Sequence, residues 1–291
     1  MKIRDYKRLI PWRLKIFIKV FLNLLGIEYS FLQKYGLVRH GKMDKIDYAL
    51  KTFHDHIRSM NLDPNELKNK TILEIGPGDS VNSALIASAY GAKSILLDSH
   101  LAAIQDIDFY KYQAKLLSEK GLKVNDLSSI NSFDELLNEL DASYITEGIA
   151  GFSLIESESV DIIFSQAVLE HIRKSEFDDL LIENRRILKK DGLCSHSIDL
   201  KDHLSYELNN LRFSERIWES KIMSSASFYT NRIGFDEMID KFNYFGFYTD
   251  VTEVIKWDEL PTPISKMSPP FRERGEDSLL VSEFKVLLKP I

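Results

Sequence analysis

The sequence predicts an α/β fold, a doubly wound and mostly parallel sheet with helices on both faces, preceded by a helical extension. Three observations carry that expectation. From Thr71 to Ile198, short apolar runs rich in Ile, Leu and Val alternate with helical stretches, the pattern of successive βα units. The first run ends in Gly76-Pro77-Gly78, and a helix follows at once. Of the 291 residues, 44% are apolar and 28% charged, ordinary usage for a globular chain long enough to bury a sizeable core.

Residues 1–65 read as an arm or lid, and 66–291 as the main domain. In the arm, Ile10, Leu14, Phe17, Phe21 and Leu24 recur at three- and four-residue steps, with Arg8, Lys15 and Lys19 largely off that stripe. This spacing predicts an amphipathic helix. The apolar stretch Ile16 to Ile27 is 12 residues long and contains Lys19, too short to cross a bilayer, and it lacks the small-residue cleavage site of a secretory signal. Ile46, Leu50, Phe53 and Ile57 predict a second helix between Lys42 and Met60, with His54 and His56 on different faces. Strands are expected at Thr71–Ile75, Ser94–Asp98, Ser143–Thr146, Val160–Ser165 and Leu193–Ile198. Helices are expected near Val81–Tyr90, Phe109–Lys120, Phe133–Leu140, Glu176–Lys189 and Phe235–Phe245. Phe247–Ile255 and Leu279–Leu288 read as an edge hairpin joined by a loop holding Pro261, Pro263, Pro269 and Pro270.

Charge narrows the partners. Against 44 Asp and Glu, 38 Lys and Arg leave a net charge of −6, the wrong sign for a nucleic-acid binder. Residues 1–20 hold seven basic side chains and Asp5, a balance of +6, so the remainder carries −12. A basic arm on an acidic body fits two readings, a lid over the site or a peripheral contact of residues 1–25 with an anionic membrane. The single Cys194 excludes an internal disulfide and a Cys-rich zinc site, and fits a reducing, cytoplasmic compartment.

The most informative segment is Leu73-Glu74-Ile75-Gly76-Pro77-Gly78-Asp79-Ser80. Glycines let the backbone turn sharply and let a ligand approach, and the helix behind them offers N–H groups to an anionic group. Asp98, twenty residues past Gly78 at the end of the second strand, is placed to accept both hydroxyls of a ribose. Two cofactor classes share this geometry. A dinucleotide site wants Gly-x-Gly-x-x-Gly, but the third position is Val81, and Glu74 is unwelcome beside a pyrophosphate. A negative charge there suits the ammonium or sulfonium end of S-adenosylmethionine.

This segment resembles the class I S-adenosylmethionine-dependent methyltransferases of the small-molecule type. Further runs match in order: Ser159 to Ile172, with its Ser165-Gln166-Ala167-Val168-Leu169-Glu170-His171, resembles the fourth-strand motif. Ile187-Leu188-Lys189-Lys190-Asp191-Gly192 resembles the turn into the fifth strand, and Gly234 to Phe247 the late helix ending in Gly-Phe. The resemblance covers about residues 70–290. It implies a seven-stranded sheet with the last strand antiparallel and S-adenosylmethionine over the strand C-termini. It also implies Glu74, Gly76, Pro77 and Gly78 along the methionine and ribose side, Asp98 and Ser99 at the ribose, and Ser165, Gln166 and Ala167 near the sulfonium. The acid this family often carries after the third strand is replaced by Ile149, which leaves the adenine contact to backbone groups or Glu147.

An alcohol acceptor must lose a proton as the C–O bond forms, and histidine is the natural base. His171, after the fourth strand, and His196, within the fifth, are the candidates. His196, Asp199 and His203 form a His-x-x-Asp-x-x-x-His spacing, but residues three apart on a strand point to opposite faces, so no metal is expected unless the strand ends by Ile198. Residues 203–232 read as a cap insertion, and its Arg212, Phe213, Arg216, Trp218, Tyr229 and Arg232 suit a saccharide or an anionic group on the acceptor, against a packed cap with its charges in water. The expected function is O-methylation of a small molecule or of a glycan or lipid-linked sugar precursor. The competing readings are a nicotinamide-dependent oxidoreductase and a non-catalytic partner protein that keeps the fold.

Overall fold

The computed structural model describes residues 11–24 and 42–291. Its centre is a seven-stranded sheet in the order β3-β2-β1-β4-β5-β7-β6. The strands are β1 (Thr71–Ile75), β2 (Lys93–Leu97), β3 (Ala142–Ile145), β4 (Val160–Gln166), β5 (Leu188–Asp199), β6 (Phe247–Lys256) and β7 (Val281–Pro290). β1 to β5 pair in parallel, and β7 runs antiparallel between β5 and β6. The strands lie within two residues of their expected bounds except β5, which starts five residues early. Leu188 already pairs with Val160, the chain bulges over Lys189–Gly192, and Leu193 rejoins opposite Ile162.

Alternation along the strands divides the core in two. On one face Ile72, Leu96, Ile162 and Phe164 pack under α2 (Ile46–Ser59), α3 (Asn82–Ala89), α4 (Ile107–Glu119) and α5 (Phe133–Glu139). On the other, Leu73, Leu97, Ile163, Cys194 and Ile198 meet Phe177, Leu180 and Leu181 of α6 (Phe177–Ile187) and Phe242 of the helix Phe235–Tyr244. Small residues in α3 let it lie close to the sheet, and Asn82 through Ala87 are all buried.

Residues 203–232, termed the cap below, fold with two short helices, α7 (Glu215–Trp218) and α8 (Lys221–Ser224), around the fully buried Trp218. The late helix Phe235–Tyr244 is α9. The Pro-rich loop does more than join two strands. Its Met267 and Phe271 pack on Leu208 and Leu211, and the Ser268 amide donates to the Leu211 carbonyl at 2.8 Å, so the cap is built from two separate segments.

The arm helix, α1 (Trp12–Leu24), packs on the cap through an unexpected face. Trp12, Ile16 and Val20 face Leu204, Trp218, Met223, Ala226, Phe228 and Tyr229. Trp12 meets Phe213 edge-on at 6.1 Å, and the Lys15 ammonium donates to the Leu204 carbonyl at 2.5 Å. These anchors rotate the expected stripe outward, leaving Leu14, Phe17 and Phe21 at 48%, 67% and 51% exposure. Arg8, Ile10 and the side chain of Leu24 lie outside the described residues.

Two histidines are shut inside the core on opposite sides of β5. His196 Nδ1 bonds Ser165 Oγ at 2.8 Å while its ring stacks on Phe242. His56 bonds Ser195 Oγ at 2.7 Å and Gln166 Oε1 at 3.2 Å. Burial lowers their pKa values to about 3 and about 4, so both are neutral when folded. The unfolded chain takes up these protons below about pH 6.5, so their contribution to stability is present above that pH and is lost as pH falls towards the folded values. Replacing His196 by Gln should therefore flatten the acid limb of unfolding free energy by up to about 1.4 kcal/mol per pH unit below pH 6. Urea titrations at pH 5 and 6.5 check this, and an unchanged difference would remove His196 from the acid response.

Candidate active site

The C-terminal ends of the parallel strands carry the glycine turn after β1, Asp98 after β2 and a turn after β4 that the cap clamps. Gly76 and Gly78 turn with φ of +69° and +67°, a conformation that strains any side chain. A Cβ on Gly76 would sit 2.6 Å from Val168, whereas the space beside Gly78 is open. The buried Pro77 separates them. Ser80 Oγ and Asn82 Nδ2 donate to the Met43 carbonyl at 2.6 and 2.8 Å, tying the turn to the segment that leads into α2. Val81, where a dinucleotide site wants glycine, is fully buried, and its amide donates to the Tyr110 hydroxyl at 3.2 Å.

Two carboxyl groups face this turn from below. Glu74 is buried with the Ser83 hydroxyl donating to it, and loss of hydration pushes its pKa up to about 8. Asp98 is also raised by burial, although the Ser99 amide donates to Oδ1 at 2.7 Å and the Gly78 amide opposes the shift. Ser99 is exposed, its hydroxyl 3.1 Å from His100 Nδ1. Such a pair of partly dehydrated acids welcomes a cationic ligand end and hydroxyl donors, and the open side of Gly78 gives a ligand backbone access. The residues fit S-adenosylmethionine. Past β3, Glu147 accepts the Thr146 amide at 2.9 Å, and Ile149 packs against the sheet's second core.

Beyond β4 the chain reverses at Ala167, which adopts φ +54° and donates its amide to the Ser197 carbonyl at 2.8 Å. Gln166 is held at both ends of its amide, by His56 and by Ser197 Oγ at 3.3 Å. Ser165 points into the sheet towards His196. After the reversal a single 3-10 turn, Leu169–His171, carries Glu170 and His171.

Asn231 clamps that turn, its Nδ2 donating to the Leu169 and Ile172 carbonyls at 2.8 and 3.0 Å and its amide to the Glu170 carbonyl at 2.7 Å. His171 Nδ1 lies 2.8 Å from the Tyr229 carbonyl, which only accepts, so Nδ1 carries the proton and Nε2 a lone pair. Burial lowers the His171 pKa and keeps the ring neutral. The His203 ring lies 4.6 Å away, centroid to centroid. Glu170 is buried, accepts the Asp199 amide at 3.3 Å through one oxygen, has no hydrogen bond on the other, and is pushed well above the usual carboxyl range by dehydration.

The structure thus brings His171 together with Glu170 and His203, whose ligand atoms lie within 4.8 Å of one another, and separates His196 from them by placing it in the core behind β5. β5 runs to Asp199, whose carboxylate pairs with Lys201 at 3.2 Å, so the His196, Asp199 and His203 spacing does not form a common site. Two of the cap arginines are engaged internally, whereas Arg216 is exposed. Arg232, with its side chain fully buried, pairs with Glu215 at 2.5 Å and lies over Phe271 and Trp218, and Arg212 lies over Trp12. Sequence reasoning assigned no role to Glu170 or His56, and weighed His203 only in a shared site with His196 and Asp199. An acid inside the apolar run Val168-Leu169-Glu170-His171-Ile172 was a visible signal for the first. Nothing local marks His56, which reaches Gln166 only through the docking of α2.

Residues 73–195 match a family described as methyltransferase domain. No curated protein matches the chain. Similar solved structures include phosphoethanolamine N-methyltransferase 2 of Haemonchus contortus, in complex with phosphomonomethylethanolamine and S-adenosylhomocysteine, at 13% identity over 83% of this chain and 53% of that one, TM-score 0.46. An arsenic (III) S-adenosylmethionine methyltransferase of Chlamydomonas reinhardtii follows at 14% identity over 76% of this chain and 63% of that one, TM-score 0.43. A putative S-adenosylmethionine-dependent methyltransferase of Listeria monocytogenes is 16% identical over 84% of this chain and 99% of that one, TM-score 0.44. The chain spans 53% and 63% of the length of the first two. The family match falls on the part of the sheet that holds the glycine turn, Asp98 and the reversal after β4, and over these residues the chain is similar to a methyltransferase domain.

Proposed function

We propose that the enzyme methylates an oxygen of a small molecule or saccharide, free or carried on a lipid, and that His171 takes the acceptor's proton. The observation behind this reading is a polar ring whose protonation state is fixed by geometry: Nδ1 is held by the Tyr229 carbonyl, burial keeps the ring neutral, and Nε2 is left to accept. His196 is equally neutral but is shut in the core, which favours His171 of the two candidates.

S-adenosylmethionine supplies a methyl group already activated by its sulfonium. The chain's part is to bind, align and exclude water, and alignment of this kind is worth about 7–11 kcal/mol. In this reading Asp98 and Ser99 hold the ribose hydroxyls, and Glu74 balances the cationic end beside Gly76, Pro77 and Gly78. Gln166, fixed by His56 and Ser197, forms the wall by the reacting centre with Ser165 and Ala167. The cap covers the acceptor, and the acceptor hydroxyl gives its proton to His171 Nε2. His203, beside that ring, shapes the same wall.

Calorimetry with S-adenosylhomocysteine tests the cofactor side. Asp98→Ala should lose about 1.5–3 kcal/mol for each ribose hydrogen bond, and unchanged affinity would take Asp98 out of the site.

Glu74 makes a pH test. Its pKa near 8 means it is protonated at neutral pH, and a cationic ligand end favours its charged form. Affinity should therefore rise with pH between about 6 and 8, by at most tenfold per unit, and the rise should vanish in Glu74→Gln.

The base is tested by transfer of labelled methyl into a small-molecule and lipid extract. His171→Gln should slow turnover by roughly 10²–10⁴ with cofactor affinity intact, while His196→Gln stays active. Full activity in His171→Gln would sink the assignment. Cofactor binding with no transfer to any acceptor would favour a non-catalytic partner protein.

A further inference from the structure

We infer that the outward face of α1 docks the enzyme on an anionic bilayer surface. Leu14, Phe17, Ile18 and Phe21 form an apolar ridge there, each more than 40% exposed, while the opposite face is fixed to the cap by Trp12, Ile16 and Val20. A helix that only closed a lid would bury its apolar residues. Here the inner face already holds the helix in place, and four large apolar side chains are left over for another surface.

Charge selects the occupant. α1 contains no acidic residue, and of its cations Arg13, Lys15 and Lys19 the last two lie against Leu204 and Phe228 of the cap. The two short cap helices next to it, α7 and α8, add exposed Arg216 and Lys221 together with exposed Ile217 and Ile222. Residues 1–20 balance at +6 while the rest of the chain carries −12. An anionic surface therefore attracts this end and repels the body, which orients the molecule as well as binding it. A second copy of the chain would bring two such basic ends together. No described helix is long and apolar enough to cross a membrane, so the contact is interfacial.

The docked helix rests on the same cap segment whose Tyr229 carbonyl holds His171. Insofar as the acceptor reading above stands, the cap then opens towards an acceptor presented at the bilayer surface. Docking itself is independent of that reading.

The test is co-flotation of the full chain with vesicles of phosphatidylcholine, with and without about one-third phosphatidylglycerol. The wild type should float with the anionic vesicles only, and about 0.5 M salt should release most of it, since the attraction fades within a few ångströms at that ionic strength. Phe17→Ser with Phe21→Ser should cut binding by at least about tenfold, and each of Arg13→Gln and Lys221→Gln by roughly fivefold. S-adenosylhomocysteine affinity, measured in the same variants, should not move, which separates failure of docking from failure of the methyltransferase reading. Three results overturn the proposal: no flotation, equal flotation of the double serine variant, or a wild-type dimer in sedimentation that the double variant dissociates. A large loss of thermal stability in the double variant also overturns it, because the ridge would then be covered by the chain itself.

Discussion

The reversal at Ala167 is the constraint on which the site depends. A non-glycine residue in the left-handed region costs of order 1–3 kcal/mol and persists only where its surroundings hold it. Here the Ser197 carbonyl holds the amide, so β5 fixes the exit of β4. That exit delivers Val168 against Gly76 and starts the turn bearing Glu170 and His171. The glycine turn and the histidine turn are therefore one packed unit, and the strain of one residue sets the spacing between them.

Around that unit the protein places ionisable groups where water is scarce. Burial shifts Glu74 and Glu170 upward and His171, His56 and His196 downward, in each case towards the neutral form. A cationic ligand end brings the charge that makes Glu74 worth ionising, so that binding and proton release are coupled by burial rather than by any single contact.

Much of the fold was legible because it rests on local pattern. The period-two runs, the Gly76–Gly78 turn and the position of Asp98 each depend on residues near in sequence, and the observed strands follow them closely. What was not legible depends on docking between distant segments. The hydrophobic stripe of α1 was read correctly as a stripe, but which face packs was decided by Trp12 finding Phe213, about two hundred residues away. Spacing grouped His196 with His203, whereas the register of β5 put His196 in the core and left His203 to meet His171. Arg232 looked like a ligand group because its acidic partners, Glu215 and Glu219, come from within the insertion and are recognisable only once it folds.

Arg232 joins the two cap segments. Its guanidinium lies between Trp218 of the first and Phe271 of the second, and its carbonyl accepts from Arg274 at 2.9 Å. The cap is consequently a single plate riveted at its centre, not a pair of loops free to part. Access to the acceptor side has to come at the plate's margin or by tilting the whole of it. A tilt is borne by α1 on the outer side and by the Asn231 clamp on the inner one. Any tilt of the plate must therefore pull on the turn carrying His171, making movement of the cap and the setting of that ring two aspects of one motion.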